Sequence, residues 1–156
     1  MWETIASILG KKSFDAALAA ASRGKTTKGQ VADFLDELKT NALRCELVLA
    51  HDADPREEGR KLSRTTYRHL RAAGFKFEKI KKGAIPVYES TKGTDVAFLS
   101  GKTLDEALAN ASERIRELET ICHSSASLKK IDLQRRFANL AKRLAVIIRF
   151  ISSRRN

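Results

Sequence analysis

The chain predicts a mainly α protein: a helical bundle with long antiparallel helices and a small β-hairpin insertion. Three observations carry this expectation. Apolar residues recur at 4-3-4-3-4 spacing in three stretches, the pattern of a helix that buries one side. These are Val31, Leu35, Leu38, Ala42, Cys45, Leu49; then Leu104, Leu108, Ala111, Ile115, Leu118, Cys122; then Leu133, Phe137, Leu140, Leu144, Ile147, Ile151. Two of the three stretches open on a capping box, Thr27 with Gln30 and Thr103 with Glu106, in which a hydroxyl and a side chain three residues on satisfy each other's backbone donors. Between them the apolar period changes once, to two, at Phe75-Lys76-Phe77-Glu78-Lys79-Ile80.

The elements follow in order. Trp2, Ile5 and Leu9 sit at helical spacing, Gly10 ends that pattern, and Ser13 can cap a second short helix to Ala21. Arg23-Gly24-Lys25-Thr26 reads as a loop, and a first long helix covers 27–51. Asp54 as N-cap and Pro55 at the first helical position start a basic helix over 55–73, closed by Gly74, a residue free to take the left-handed conformation. The hairpin spans 75–88: Lys82-Gly83 can turn, and Pro86 confines the returning strand to an edge. Residues 90–102 form a loop around the short apolar piece Val96 to Leu99. Helices 103–123 and 126–152 are joined by so short a turn that they must run antiparallel. The whole, 1–156, reads as a single helical domain long enough to bury a real core.

Cys45 and Cys122 each fall on an apolar seam, so both read as free core thiols in a reducing, cytoplasmic setting. No CxxC or His/Cys spacing supports a metal site, and no cofactor is expected. The N-terminus lacks the basic region and long apolar core of a signal peptide, and no run reaches membrane-spanning length.

Net charge is +11, and it is concentrated in two blocks. Residues 124–156 hold nine Lys/Arg against one acid, and residues 55–92 hold eleven against four. Such a balance favours an anionic partner, nucleic acid ahead of lipid, or else serves only solubility. In the last helix, Lys129, Arg136, Arg143 and Arg135, Lys142, Arg149 form two columns at seven-residue spacing opposite the apolar seam. With Arg154 and Arg155 they could line cations along a phosphate backbone, or pair with Asp105, Glu106, Glu113, Glu117 and Glu119 of the neighbouring helix.

The second basic block offers Arg60, Arg64, Arg68 and Arg71 at helical spacing. Leu62 to Phe75 resembles the recognition helix of a winged helix-turn-helix, with the expected hairpin standing as its wing. The resemblance implies that Ser63 caps the helix and that Arg64, Thr65, Arg68 and Arg71 face DNA. The other reading is one continuous helix with Arg60, Arg64, Arg68 and Arg71 on its solvent face. Arg64-x4-His69 also resembles the R-x4-6-H pattern of the HEPN ribonucleases, helical bundles that cut RNA. That resemblance implies that the Arg and His converge, commonly across a dimer interface. On a regular helix these two positions stand roughly 140° apart around the axis.

His51-Asp52-x-Asp54-x-x-Glu57-Glu58 could gather a divalent cation, but helix-start chemistry accounts for the same acids. The Trp2 helix could dock on a partner or a membrane surface, or pack on the bundle. Gly24-Lys25-Thr26 is only the tail of a phosphate loop, since Ala19 stands where its first glycine is required. The expected function is therefore non-catalytic binding of an anionic macromolecule through Arg60, Arg64, Arg68, Arg71 and Arg135, Arg136, Lys142, Arg143, Arg149. The alternatives are a protein–protein adaptor or self-assembling helical module, and a HEPN-like ribonuclease.

Overall fold

The computed structural model describes residues 28–124 and 128–153. Five helices form there: α1 (Lys28–Ala50), α2 (Pro55–Arg60), α3 (Thr65–Ala72), α4 (Leu104–His123) and α5 (Lys130–Ser152). The Trp2 and Ser13 helices, the Arg23 loop, Thr27 of the first capping box, the turn residues 125–127, and Arg154 and Arg155 lie outside the described residues.

The three seams pack as their spacing requires. Every seam residue is buried except Leu49, which packs half-buried on the same core. Antiparallel pairing of α4 and α5 is read from two side-chain contacts. Arg136 lies 3.9 Å from Glu117, and Arg143 Nε donates to Asn110 Oδ1 at 2.8 Å. Seven residues forward along α5 is thus seven residues back along α4. α1 packs chiefly on α5, so the two sides of α5 are covered by α1 and α4.

The second capping box forms as the sequence demands: Glu106 N–H donates to Thr103 Oγ1 at 3.3 Å, and Thr103 N–H donates to Glu106 Oε2 at 2.8 Å. Thr103→Ala is expected to cost about 1 kcal/mol of stability, measured by urea unfolding, because the Glu106 N–H loses its acceptor. Asp54 caps α2 through the Glu57 N–H at 3.3 Å, with Pro55 in the first turn. α5 starts at Lys130 rather than at 126, with Lys129 as an N-cap that makes no side-chain cap bond.

The helix expected over 55–73 is broken. α2 stops at Arg60 and α3 starts at Thr65. The cause is α1, which takes the N–H groups that a continuous helix would send to carbonyls four residues back. Asn41, only 2% exposed, accepts from Ser63 N–H at 3.0 Å and donates to Ser63 C=O at 2.7 Å. One turn earlier, the Glu37 carboxylate accepts from Thr66 N–H at 3.0 Å, Tyr67 N–H at 2.9 Å and Ser63 Oγ at 2.7 Å. A carboxylate four residues from an amide on one face of α1 therefore caps α3 from across the fold. The N-cap residue is Arg64, not Ser63, although Ser63 Oγ accepts from Thr65 N–H at 3.3 Å.

α3 closes on Gly74 as expected. Phe75 N–H reaches Leu70 C=O and Gly74 N–H reaches Arg71 C=O, both at 3.0 Å, with Gly74 at φ 77°. This is a Schellman ending, and the buried Phe75 and Leu70 supply its apolar contact.

The β-hairpin expected over 75–88 does not form; no strand is present among the described residues. Phe75 and Phe77 are held instead by an aromatic cluster with Phe34 and Tyr67, with centroids 5.1 Å from Phe77 to Phe34, 5.4 Å to Tyr67 and 5.2 Å to Phe75. The chain then coils into a 3₁₀ turn, Phe77–Lys79, and buries Ile80 and Lys81. The apolar stretch at Ile85 finds its partner elsewhere: Ile85 N–H donates to Lys102 C=O and Gly101 N–H to Ile85 C=O, both at 2.8 Å. Alternation at 75–80 was the mark of two buried anchors on a coil, and the returning segment pairs with the entry to α4.

α2 is pressed onto α4 at Gly59. A Cβ there would stand 2.2 Å from Cys122 Sγ, 3.0 Å from Cys122 Cβ and 3.6 Å from Phe137 Cζ. The same junction is sealed by arginines: Arg60 Nε donates to Cys122 C=O at 2.9 Å, and Arg56 reaches Ile121 C=O at 3.3 Å and Ser124 C=O at 3.0 Å. Cations placed on the last carbonyls of α4 complement its dipole. Glu58 is buried beside them and pairs with Arg44 at 3.2 Å and Lys61 at 3.4 Å, which stitches α2 to α1.

Candidate functional site

The nine cations predicted to face a ligand divide into those the fold uses and those it leaves outside. Arg60 is spent on the end of α4, as above. Arg64 turns to α4, its Nε 3.9 Å from Glu119 Oε1. Burial pushes the Glu119 carboxyl above the usual carboxylate range, and the Arg64 charge opposes that shift. His69, the other half of the R-x4-6-H pattern, is exposed on α3.

The C-terminal helix was expected to show one apolar and one cationic side. In its second half it shows neither: from 140 to 151 every residue except Lys142 and Arg149 is buried. The physical reason is the 84–102 segment, which lies along α5 and covers the side opposite the seam. Lys142 Nζ meets Asp95 Oδ1 at 3.1 Å. Arg149 donates to Ser90 Oγ at 3.2 Å and lies 4.1 Å from the Tyr88 ring centroid. Contacts at 88/149 and 95/142 show that this segment runs antiparallel to α5.

Arg143 is the extreme case at 6% exposure. Its Nε is held by Asn110, its NH1 donates to Asn139 C=O at 3.0 Å, and its guanidinium carbon stands 5.5 Å from the Phe98 ring centroid. Burial lowers its pKa from the usual arginine value, and the Arg114 charge adds to that. Arg143 is therefore a packed cation, held in place by Asn110 and the Asn139 carbonyl. Arg135 and Arg136 remain exposed at the start of α5; Arg136 shares Glu117 with Arg114.

What stays outside is the segment 68–82. Arg68 and Arg71 are exposed on α3, with Arg71 NH1 donating to Tyr67 Oη at 3.1 Å. Lys76, Lys79 and Lys82 are exposed just beyond, and Glu78 is the one acid within 68–82. The buried anchors Phe75, Phe77 and Ile80 hold that turn, so the lysines between them project outward. Lys79 Nζ sits 5.9 Å from the Phe75 ring centroid. Sequence reading assigned these lysines to a hairpin and did not count them among the candidate cations; the signal was their interleaving with aromatic anchors.

Comparison with protein-family models, curated proteins and solved structures returns no match. The wing of a winged helix is not formed, as the fold of 75–88 shows. The acids around His51 are drawn apart by structure: Asp54 caps α2 and Glu58 is buried on Arg44. Among the described residues no three His, Cys, Asp or Glu side chains gather as metal ligands, and no helix is long and apolar enough to cross a membrane. Cys45 and Cys122 are both buried free thiols, and burial raises the pKa of each.

Proposed function

We propose that this protein binds nucleic acid, without catalysing a reaction on it, through the cations of α3 and the turn behind it. The observation that carries this reading is the contrast just described. The fold engages Arg60, Arg64, Lys142 and Arg143 in internal contacts, while Arg68, Arg71, Lys76, Lys79 and Lys82 project from one 15-residue stretch with a single acid among them. Cations on a rigid, aromatic-anchored scaffold match a line of phosphates and act through counterion release.

The test is fluorescence anisotropy of nuclease-treated protein with labelled RNA and DNA across a salt series. Wild type is expected to weaken steeply with salt. Arg68→Glu combined with Arg71→Glu is expected to weaken binding and make the slope of log K against log salt shallower by about 1.5, the share of two phosphate contacts. A double variant that binds like wild type would remove this surface as the site. Absence of binding even at low salt would leave the adaptor or self-assembling module, for which Leu43, 46% exposed on α1, is the candidate contact.

A further inference from the structure

The face formed by α5 and the segment laid along it carries an unusual pair of flat surfaces. Phe98 is 45% exposed. One side of its ring rests against Arg143, which is itself locked by Asn110 and the Asn139 carbonyl. The ring thus has a fixed cation beside it and nearly half of its surface in solvent. At the other end of the segment the order is reversed. Tyr88 lies half-buried beneath, and the exposed Arg149 guanidinium stacks on it at 4.1 Å, oriented further by Ser90.

Arg143 and Arg149 are about 9 Å apart along the helix axis, from a rise of 1.5 Å per residue, and about 120° apart around it, from the 3.6-residue turn. Lys142, paired with Asp95, stands two turns before Arg149 on the same side of the helix. An aromatic ring bounded by fixed cations is poorly suited to an apolar protein partner, which needs contiguous apolar area. It suits a flat, electron-rich group attached to an anionic chain.

We propose that this strip is a stacking platform for unpaired bases, so that the nucleic acid bound is single-stranded. One base stacks on the exposed side of Phe98 and another, further along the strand, on the Arg149 guanidinium plane, while the cations of the surface meet the phosphates. A duplex cannot use the platform, because its bases are already paired and stacked. This inference rests on the nucleic-acid reading above and adds the strand class to it.

The experiment compares the full chain with its Phe98→Leu and Phe98→Trp variants, each first shown to be folded by circular dichroism. The probes are a labelled single-stranded oligonucleotide, the same strand with abasic sites, and its duplex. Leucine keeps an apolar side chain and removes the π-face. Phe98→Leu is expected to weaken single-strand binding about tenfold, with the salt slope unchanged and duplex binding unaffected. Phe98→Trp is expected to match or exceed wild type, and the abasic strand to bind wild type and Phe98→Leu alike. If Phe98→Leu binds the single strand as tightly as wild type while the Arg68/Arg71 variant still weakens, the platform is wrong and the nucleic-acid reading stands. If no oligonucleotide binds at low salt, both fall.

Discussion

Glu37→Ala is expected to lower the unfolding free energy by about 2–4 kcal/mol, because one carboxylate accepts from Ser63 Oγ and from the Thr66 and Tyr67 amides. Hydrogen bonds to a charged acceptor are the strong ones, and their loss strips α3 of its N-terminal acceptor while α3 has no side-chain cap of its own. Glu37→Gln keeps one acceptor oxygen and should lose roughly half as much. Urea unfolding gives the magnitude. Amide exchange gives the location: protection should fall first at Thr66 and Tyr67, before α4 or α5 is affected. A loss under about 0.5 kcal/mol would mean that local water replaces the carboxylate and that α1 does not hold α3. The consequence reaches the proposed nucleic-acid surface, since Arg68 and Arg71 keep their positions only while α3 is docked. The same variant should therefore weaken nucleic-acid binding with no cation removed.

The second large effect is steric. Gly59→Val is expected to cost about 3 kcal/mol, because even the first added carbon would stand 2.2 Å from Cys122 Sγ and the branches would press on Phe137. Gly59→Ala separates the causes. Alanine gains about 1 kcal/mol of helix propensity over glycine, and overpacking costs about 1–3 kcal/mol against it. In a Cys122→Ala background the Sγ obstacle is gone, so the penalty of Gly59→Ala should shrink by more than 0.5 kcal/mol, a coupling that a double-mutant cycle detects. Equal penalties in both backgrounds would show that α2 slides away from α4 freely, and that the Arg56 and Arg60 contacts to the α4 carbonyls do not fix its distance.

Much of the fold was legible because helices are local in period. Each 4-3-4-3-4 seam names a buried face without knowledge of the partner, and the seams at 31–49, 104–122 and 133–151 are the faces that pack. Caps are local as well: Thr103 with Glu106, Asp54 with Pro55 and Gly74 behave as their neighbours in sequence dictate. The site was less legible. A charge count cannot tell a solvated guanidinium from one resting on a carbonyl, and Arg60, Arg64 and Arg143, read from the sequence as facing a ligand, each have a partner within the fold.

The sequence by itself determined the helical class, the three buried seams, the helix ends that carry their own caps, and the net charge of +11. Tertiary structure alone decided three things. It broke helix 55–73, because Glu37 and Asn41, 22 to 30 residues away, out-compete the i−4 carbonyls for the same N–H groups. It replaced the hairpin by a coil, because Phe75 and Phe77 gain more in an aromatic cluster with Phe34 and Tyr67 than a two-stranded ribbon could return. And it sorted the cations, because the 84–102 segment covers α5 while Arg68, Arg71, Lys76, Lys79 and Lys82 stay exposed. Each of these is a competition between a local partner and a distant one for a single donor, ring face or charge, and periodicity in the sequence records only the local competitor.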